Sequence, residues 1–353
     1  MAVGYHDQIW KGGIKTAFGL PGNQIMHLYD AFYGQSDIDL ITVRHEQTAV
    51  YMADGYNRVR GAPEAVALVV PGPGVQNASA ALGTAYACSS PTMLLAGQIP
   101  SNFLGLQTGQ LHEIHHQIET LKGITKWYST SHKVSDISSD INKAFKSMKS
   151  NRPRPTAIEI PPDILAARGS ATPSPAAQRK TPALNLHDID QAAAILTQAH
   201  RPIIWAGGGA IISDSAKVLT QLAELLGAIV VTTPEGKGSI SDRHYLSIGT
   251  PQGRSTGNSK DPLRDFLYTC DVILAVGTRF SYAEPKPSQQ VVQIDVDPKE
   301  IGRNHKNTLG LLGDARETLL QLLKTIKTTT NPKKNQKTTL EKMRSDRYDN
   351  PAN

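Results

Sequence analysis

The sequence predicts an α/β protein with two doubly wound parallel-sheet domains. Short apolar, β-branched runs alternate with longer segments of helical periodicity, which is the pattern of a parallel sheet covered by helices on both faces. The length of 353 residues suits two domains. An Ala-, Pro- and Ser-rich stretch separates the two alternating regions. We therefore predict domains at residues 1–167 and 186–327, a linker at 168–185, and a basic tail or connector at 328–353.

The first region begins a regular strand–helix alternation. Its predicted strands are Ile14–Leu20, Leu40–Val43, Ala65–Val70, Thr92–Gly97 and Thr156–Ile160. Its predicted helices are Gln24–Phe32, 47–60, 75–89 and Ser135–Met148, and a long loop follows Gly97. The run Leu40–Val43 is predicted to be buried. The helix after it is predicted to bury Ala49, Val50, Met52, Ala53 and Tyr56.

The second region repeats the alternation. Its predicted strands are Pro202–Ala206, Ala228–Thr232, Asp271–Val276 and Val291–Asp295, with helices at 188–199 and 213–226. Gly207, Gly208 and Gly209 follow a strand, as in a dinucleotide site, but Ala210-Ile211-Ile212 comes next and the third glycine of G-x-G-x-x-G is missing. Asp295 and Asp297 either contact a ribose or simply end a strand.

Composition excludes several classes of protein. No apolar run approaches the ~20 residues of a membrane span, and the N-terminus has no signal-type or transit-type pattern. The net charge is +6, but eight basic and three acidic residues from Lys324 onward account for +5 of it, so a nucleic-acid surface is not expected. Cys88 and Cys270 are predicted to be reduced core residues, which fits a cytoplasmic protein.

Glu46 lies at a strand-to-helix junction, where open α/β sheets place their ligand crevice. An acidic residue in a first helical turn often only complements the helix macrodipole. Here two further strand ends carry tight glycine turns, FGLPGNQ and VVPGPGVQN. Glycine in such turns either satisfies turn geometry alone or lets backbone approach a ligand closely.

These motifs together resemble a known family. FGLPGNQ, RHEQTAVYMADGYNR and VVPGPGVQNASAALGTAY, in this order, resemble the pyrimidine-binding domain of thiamine diphosphate (ThDP) enzymes. The closest match is the acetolactate synthase and benzoylformate decarboxylase group. RPIIWAGGGA, DVILAVGTRFS and VVQIDVDPKEIGRN resemble the Rossmann-like central domain of the same enzymes. The resemblance covers roughly residues 1 to 325.

The resemblance implies roles for single residues. The carboxyl group of Glu46 would hydrogen-bond N1′ of the cofactor's aminopyrimidine, which helps that ring remove the thiazolium C2 proton. Gly72, Pro73, Gly74 and Asn77 would pack along the pyrimidine. The remaining cofactor-loop residues, which face the reacting carbons from the other subunit, are Pro21 and Gly22.

The loop from Gly105 to His116 is the candidate substrate region. In acetolactate synthases a Phe-Gln pair falls about here, and this chain has His112-Glu113 instead, close to Gln110. His112, Glu113, His115 and His116 could suggest a metal, but the spacing does not match HExxH and no metal site is predicted. This departure leaves the 2-oxo acid substrate open, and also whether decarboxylation ends in protonation or in carboligation.

The family's third domain has a Gly-Asp-Gly motif and a later Asn that hold Mg²⁺ and the diphosphate. That motif is not found in these 353 residues. The chain is then a truncated product, one partner of a separate diphosphate-binding subunit, or a non-catalytic nucleotide-binding or regulatory remnant. By itself it is expected to turn over little or no substrate. The resemblance further implies a homodimer or homotetramer, and FAD or ADP in the central domain of some members.

Overall fold

The chain forms two compact units that divide between residues 180 and 181. The computed structural model describes residues 13–33, 35–169, 181–250, 267–281 and 285–329. Most of the predicted linker, together with the predicted tail from residue 330, lies outside the described residues. The domain boundaries proposed above therefore stay predictions.

The N-terminal unit contains a six-stranded, wholly parallel sheet in the order β2-β1-β3-β4-β6-β5. Its strands are β1 Thr16–Gly19, β2 Asp39–Thr42, β3 Ala65–Val69, β4 Met93–Gly97, β5 Trp127–Thr130 and β6 Thr156–Ile160. Its helices are α1 Met26–Phe32, α2 Glu46–Arg60, α3 Pro73–Cys88, α4 Gln117–Ile124, α5 Val134–Lys149 and α6 Pro162–Ala166. The doubly wound prediction is confirmed, although β5 and α4 were not predicted.

Two predictions of burial in this unit are wrong. The segment Leu40–Val43 is not a buried strand, because β2 lies at the edge of the sheet and pairs only with β1, and Ile41 is 40% exposed. Met52 is 38% exposed on α2, and Tyr56 is only half-buried, whereas Ala49 and Ala53 are buried as predicted. An apolar run shows β-propensity but does not show whether a strand is central or at the edge.

Helices cover the N-terminal sheet on both faces. On one face α5 packs Ile137, Ile141 and Phe145 against the strands. The other face is covered by α2 and α3, whose small buried residues Ala53 and Ala81 allow close helix packing. The sheet is thus a rigid support for the loops at its carboxyl edge.

The central unit contains a second six-stranded parallel sheet in the order β12-β11-β10-β7-β8-β9. Its strands are β7 Pro202–Ala206, β8 Ile229–Thr232, β9 Ser247–Gly249, β10 Val272–Val276, β11 Gln290–Asp295 and β12 Thr308–Leu312. Its helices are α7 Leu186–Gln198, α8 Gly208–Ile212, α9 Ala216–Leu226 and α10 Ala315–Thr329. The predicted helix 213–226 begins later than expected, and β9, β12 and α10 were not predicted.

The two cysteines differ in burial. Both are free, but only Cys270 is buried, while Cys88 at the end of α3 is partly exposed. The prediction that both are core residues is therefore wrong for Cys88. Among the helices that the structure describes, none combines the length and apolarity needed to cross a membrane.

Candidate active site

The candidate site lies at the carboxyl edge of the N-terminal sheet, beside its topological switch point. From β1 the chain passes to β2 on one side, and later enters β3 on the other side of β1. The loops that follow β1 and β3 therefore flank a crevice, which is where ligands bind in open α/β sheets. The first of these loops contains Pro21 and Gly22, and the second contains Gly72, Pro73 and Gly74.

Glu46 is the first residue of α2, directly beyond the edge strand β2, and only 7% of it is exposed. Asn77 on α3 donates a hydrogen bond from Nδ2 to Glu46 Oε2 at 2.9 Å. A Cβ atom on Gly74 would lie 3.6 Å from Glu46 Oε1. Because Gly74 has no side chain, Oε1 keeps an open approach while Oε2 is held. The structure thus brings together Glu46, Gly74 and Asn77, as the sequence predicted.

The glycines of the two loops are required by close packing. Gly72 has φ +56°, and a Cβ there would lie 2.3 Å from the backbone oxygen of His112. A Cβ on Gly22 would lie 2.4 Å from Val70 Cγ1. These positions accept only glycine without movement of a neighbour. Turn geometry and close approach therefore both operate here, and the prolines Pro21 and Pro73 are exposed at the rim.

The three residues of the predicted substrate region have different surroundings. The carboxylate of Glu113 accepts hydrogen bonds from the backbone N–H groups of Gly109 and Gln110, at 2.7 and 2.8 Å, and so closes a tight loop. The Gln110 side chain donates to Thr108 Oγ1 at 3.2 Å. Only His112 contacts the cofactor loop, through its backbone at Gly72.

The remaining features of this loop do not form a metal site. The rings of His115 and His116 pack on each other with centroids 3.7 Å apart, and Gln107 Nε2 lies 3.0 Å from His115 Nδ1. Among the described residues no group of three or more His, Cys, Asp or Glu could hold a metal ion. Gln107, His112 and His116 all have positive φ, so the loop has an unusual backbone path.

Sequence reasoning missed a group of buried polar residues next to Gly72. Gln117 donates to Glu159 Oε1 at 2.8 Å and accepts the Gly72 N–H at 2.6 Å. Glu159 is 1% exposed within β6, and burial raises the pKa of its carboxyl group, against the hydrogen bonds that lower it. An acid inside the apolar strand TAIEI is a sequence signal that could have identified Glu159. Gln117 lies in a polar stretch and had no such signal.

Gln24 is a second residue that the sequence did not single out. It follows the Pro21-Gly22 turn, is 7% exposed, and donates from Nε2 to the backbone oxygen of Leu111 at 3.0 Å. Its Oε1 atom is buried and has no hydrogen-bond partner among the described residues. Gln24 therefore ties the first loop of the crevice to the segment that carries His112.

The carboxyl edge of the central sheet is built from backbone. Gly207 N–H donates to Val276 O and Gly209 N–H donates to Gly277 O, both at 2.9 Å. A Cβ on Gly209 would lie 2.6 Å from Gly277 Cα, and Gly208 begins the five-residue helix α8. These contacts explain the triple glycine without a ligand, so its nucleotide role stays a prediction.

The acidic residues after β11 also have local partners. The Asp295 carboxylate is buried and accepts the Asp297 N–H at 2.9 Å, so it closes the turn that follows the strand. This is the strand-ending alternative that the sequence left open. A contact from Asp295 to a ribose stays a prediction.

Comparison with known proteins adds two matches to family models. Residues 7–120 match the model described as the thiamine pyrophosphate enzyme N-terminal TPP binding domain. Residues 189–322 match the model described as the thiamine pyrophosphate enzyme central domain. The first contains Glu46, Asn77 and both glycine loops, and the second contains the whole described carboxyl edge of the central sheet.

Curated relatives have similar names but are longer. The chain is 33% identical over 328 residues to a probable acetolactate synthase large subunit of Methanocaldococcus jannaschii, which covers 88% of this chain and 53% of that protein. It is 35% identical over 319 residues to a probable 2-ketoarginine decarboxylase of Pseudomonas aeruginosa (88% and 55%). It is 32% identical over 323 residues to the acetolactate synthase isozyme 3 large subunit of Escherichia coli (88% and 55%). The chain spans about half the length of these relatives.

Proposed function

The chain belongs to the thiamine pyrophosphate enzyme family, and from this premise we propose that it forms the pyrimidine-binding half of a ThDP site that acts on 2-oxo acids. The observation that carries the proposal is the buried Glu46 carboxylate, held by Asn77 at one oxygen and open at the other. It stands at the switch point of the sheet, where this fold places its ligands.

The residues of the crevice fit an aminopyrimidine. A ring nitrogen that shares a proton needs one carboxyl oxygen, and the fixed Oε2 leaves Oε1 of Glu46 for it. Asn77 keeps that oxygen from rotating away, and the missing side chain at Gly74 leaves room for a flat ring. When bound, ThDP supplies the acidic C2–H group and the electron sink. The chain's own residues bind, orient and exchange a proton at Glu46 Oε1.

The substrate class and the assembly follow from the relatives. The names of two of the three quoted relatives specify acetolactate synthases and that of the third a 2-ketoarginine decarboxylase. We propose a 2-oxo acid substrate on that basis, with either protonation or carboligation as the final step. A homodimer or homotetramer is proposed because the family's loops act across subunits.

The Mg²⁺ and diphosphate ligands of the site are proposed to lie outside these 353 residues, in a longer form of the protein or in a second chain. Sequencing of the transcript beyond codon 353 tests the first alternative, since an open frame with Gly-Asp-Gly and a later Asn is expected. FAD binding by the central unit is a separate proposal. An absorbance band of bound flavin in the purified protein would support it.

The direct test is exchange of the ThDP C2 hydrogen with D₂O, read by proton NMR in the presence of Mg²⁺. The chain should bind ThDP in a calorimetric titration and accelerate the exchange above its rate in buffer. Glu46→Gln should keep binding and lose the acceleration. Equal exchange rates with the wild-type chain, with Glu46→Gln and in buffer would overturn the proposal.

A further inference from the structure

A buried hydrogen-bond network connects β6 to the cofactor loop. Glu159 lies between β4 and β5, level with Ala96 and Thr130. Its Oε2 accepts from Thr130 Oγ1 at 2.8 Å and from Gln98 Nε2 at 3.4 Å, and its Oε1 accepts from Gln117 Nε2 at 2.8 Å. Each printed partner of the carboxyl group is a donor, and Glu159 itself is 1% exposed.

The orientation of the Gln117 amide is set by these partners. Its Nε2 donates both to Glu159 Oε1 and to the backbone oxygen of Gly97, at 3.1 Å. Two acceptors on one side require the NH₂ group there, so the oxygen must face the other way. That oxygen accepts the Gly72 N–H at 2.6 Å. Glu159 therefore selects the only amide orientation in which Gly72 finds an acceptor.

Gly72 in turn sets the beginning of α3. Its backbone oxygen accepts the Gln76 N–H at 3.0 Å, and its φ and ψ of +56° and −112° direct the chain into the helix. Gly74 and Asn77 stand in the first turns of that helix, beside Glu46. A displaced Gly72 peptide would therefore move the two residues that define the open oxygen of Glu46.

We infer that Glu159 is a positioning residue for the cofactor site, acting through Gln117 on the Gly72 peptide. The inference rests on the proposed function, because it concerns the loop assigned to the aminopyrimidine. Glu159 touches no reacting atom in this scheme. Its task is to supply an acceptor at Oε1, and that task does not depend on its charge.

The protonation state does not alter this role. If Glu159 is ionised, both oxygens accept. If it carries a proton on Oε2, that O–H donates to the Thr130 hydroxyl, which can accept as well as donate, and Oε1 still accepts from Gln117. Glu159→Gln reproduces the second arrangement, with an NH₂ group in place of the O–H. Glu159→Leu removes the acceptor altogether.

The Gly72 amide reports the network in the chain without any ligand. Pro-Gly occurs three times in the sequence, at Gly22, Gly72 and Gly74, so labelling with ¹³C-carbonyl Pro and ¹⁵N-Gly leaves three amide signals. The Gly72 signal should lie downfield and exchange slowly with D₂O, as a short hydrogen bond requires. Glu159→Leu should move it upfield and speed its exchange by about tenfold or more. Glu159→Gln should restore it.

A matched control separates positioning from general loss of stability. Asp140 is another buried acid of the same unit, bound to the hydroxyl groups of Ser129 and Ser131 at 3.2 and 2.8 Å. Asp140→Leu should lower the melting temperature but leave the Gly72 signal in place. If Asp140→Leu moves the signal as Glu159→Leu does, or if Glu159→Leu leaves it unchanged, the inference is wrong.

Two further readings keep the result decisive. Should Glu159→Leu fail to fold, Gln117→Leu removes the Gly72 acceptor directly and must move the same signal. A Gly72 amide that exchanges rapidly in the wild-type chain overturns the inference without any variant. ThDP titration is read separately: a responsive Gly72 signal without ThDP binding supports the network and counts against the proposed function, and ThDP binding with an unresponsive signal does the reverse.

Discussion

At the switch point of the N-terminal sheet the strands end in polar side chains, whereas at that of the central sheet they end in glycine backbone. Glu46, Asn77 and Gln117 hold hydrogen-bonding groups around the first crevice. The loops after β7 and β10 instead bond to each other through Gly209 and Gly277. Identical sheet architecture thus supports a chemical site in one unit and a backbone contact in the other.

The difference teaches that glycine-rich strand ends do not by themselves indicate a ligand. In both units a Cβ would collide with backbone, at Gly72 with His112 and at Gly277 with Gly209. What distinguishes the N-terminal edge is a buried carboxylate with one unoccupied approach. A functional assignment must therefore rest on the side chains around the glycines.

The largest expected effect tests the chemical half of this comparison. Glu46→Gln should lower the rate of ThDP C2 exchange by about 10²- to 10⁴-fold, because an amide cannot share a proton with a ring nitrogen as a carboxyl group does. The fold should remain, as circular dichroism would show. Glu119→Gln is the control, since that carboxylate is 57% exposed on α4 and pairs with Lys122, and it should leave the rate unchanged.

Replacement of the glycines tests the packing half. Gly277→Ala should destabilise the central unit by about 2–4 kcal/mol, because a residue with φ +57° acquires a Cβ 2.5 Å from Gly209 Cα. Gly302 has a similar φ of +68°, but its Cβ would lie 3.8 Å from the nearest atom. Gly302→Ala should therefore cost only about 1 kcal/mol, that of the left-handed backbone. Equal shifts in calorimetric melting would contradict the close-approach argument.

The same substitution at the N-terminal edge should affect both stability and the site. Gly72→Ala places a Cβ 2.3 Å from the His112 backbone oxygen and should lower the free energy of unfolding by about 2–4 kcal/mol. Gly83, in the same helix α3, has no atom within 4 Å of a Cβ, and Gly83→Ala should stabilise by about 0.5–1 kcal/mol. Urea titration monitored by fluorescence measures both. Weakening by both variants would show that α3 tolerates no added side chain.

A smaller effect is expected at Asn77. Asn77→Ala removes the hydrogen bond to Glu46 Oε2 and should slow C2 exchange by about tenfold, corresponding to roughly 1 kcal/mol for one hydrogen bond. Gln76→Ala, the preceding exposed residue, is the matched control. If both variants leave the exchange rate unchanged, Asn77 does not orient the carboxylate.

The smallest effect concerns pH and the central unit. Burial raises the pKa of Asp271, but the hydrogen bonds from the N–H groups of His200 and Arg201 outweigh it and lower this pKa below its ordinary value. The stabilisation is therefore present above the unfolded pKa and is lost as the pH falls through the folded pKa. Asp271→Asn should cost about 1 kcal/mol at pH 7, reduced by partial solvent exposure. In melting scans this difference should disappear in acid; a constant difference would exclude the carboxylate charge as its source.

Much of the fold could be predicted because it is written in local pattern. Five strands of the N-terminal sheet and four of the central sheet coincide with apolar runs bounded by turns. The strands that were missed, β5, β9 and β12, are outer strands of their sheets, or short and partly exposed, and so have a weaker apolar signal. The burial of β2 was misjudged because edge position depends on strand order, which no local pattern contains.

The sequence by itself determined the two-domain α/β class, the family and the candidate role of Glu46, because motif and spacing are local properties. Only the tertiary structure decided that Asn77 holds one oxygen of Glu46, that Glu113 closes its own loop, and that Glu159 reaches Gly72 through Gln117. These contacts join residues from different strands and loops, up to 45 positions apart for Gly72 and Gln117. Their partners are chosen by the register of parallel strands and by the burial of polar groups, which arise only when the whole sheet has formed.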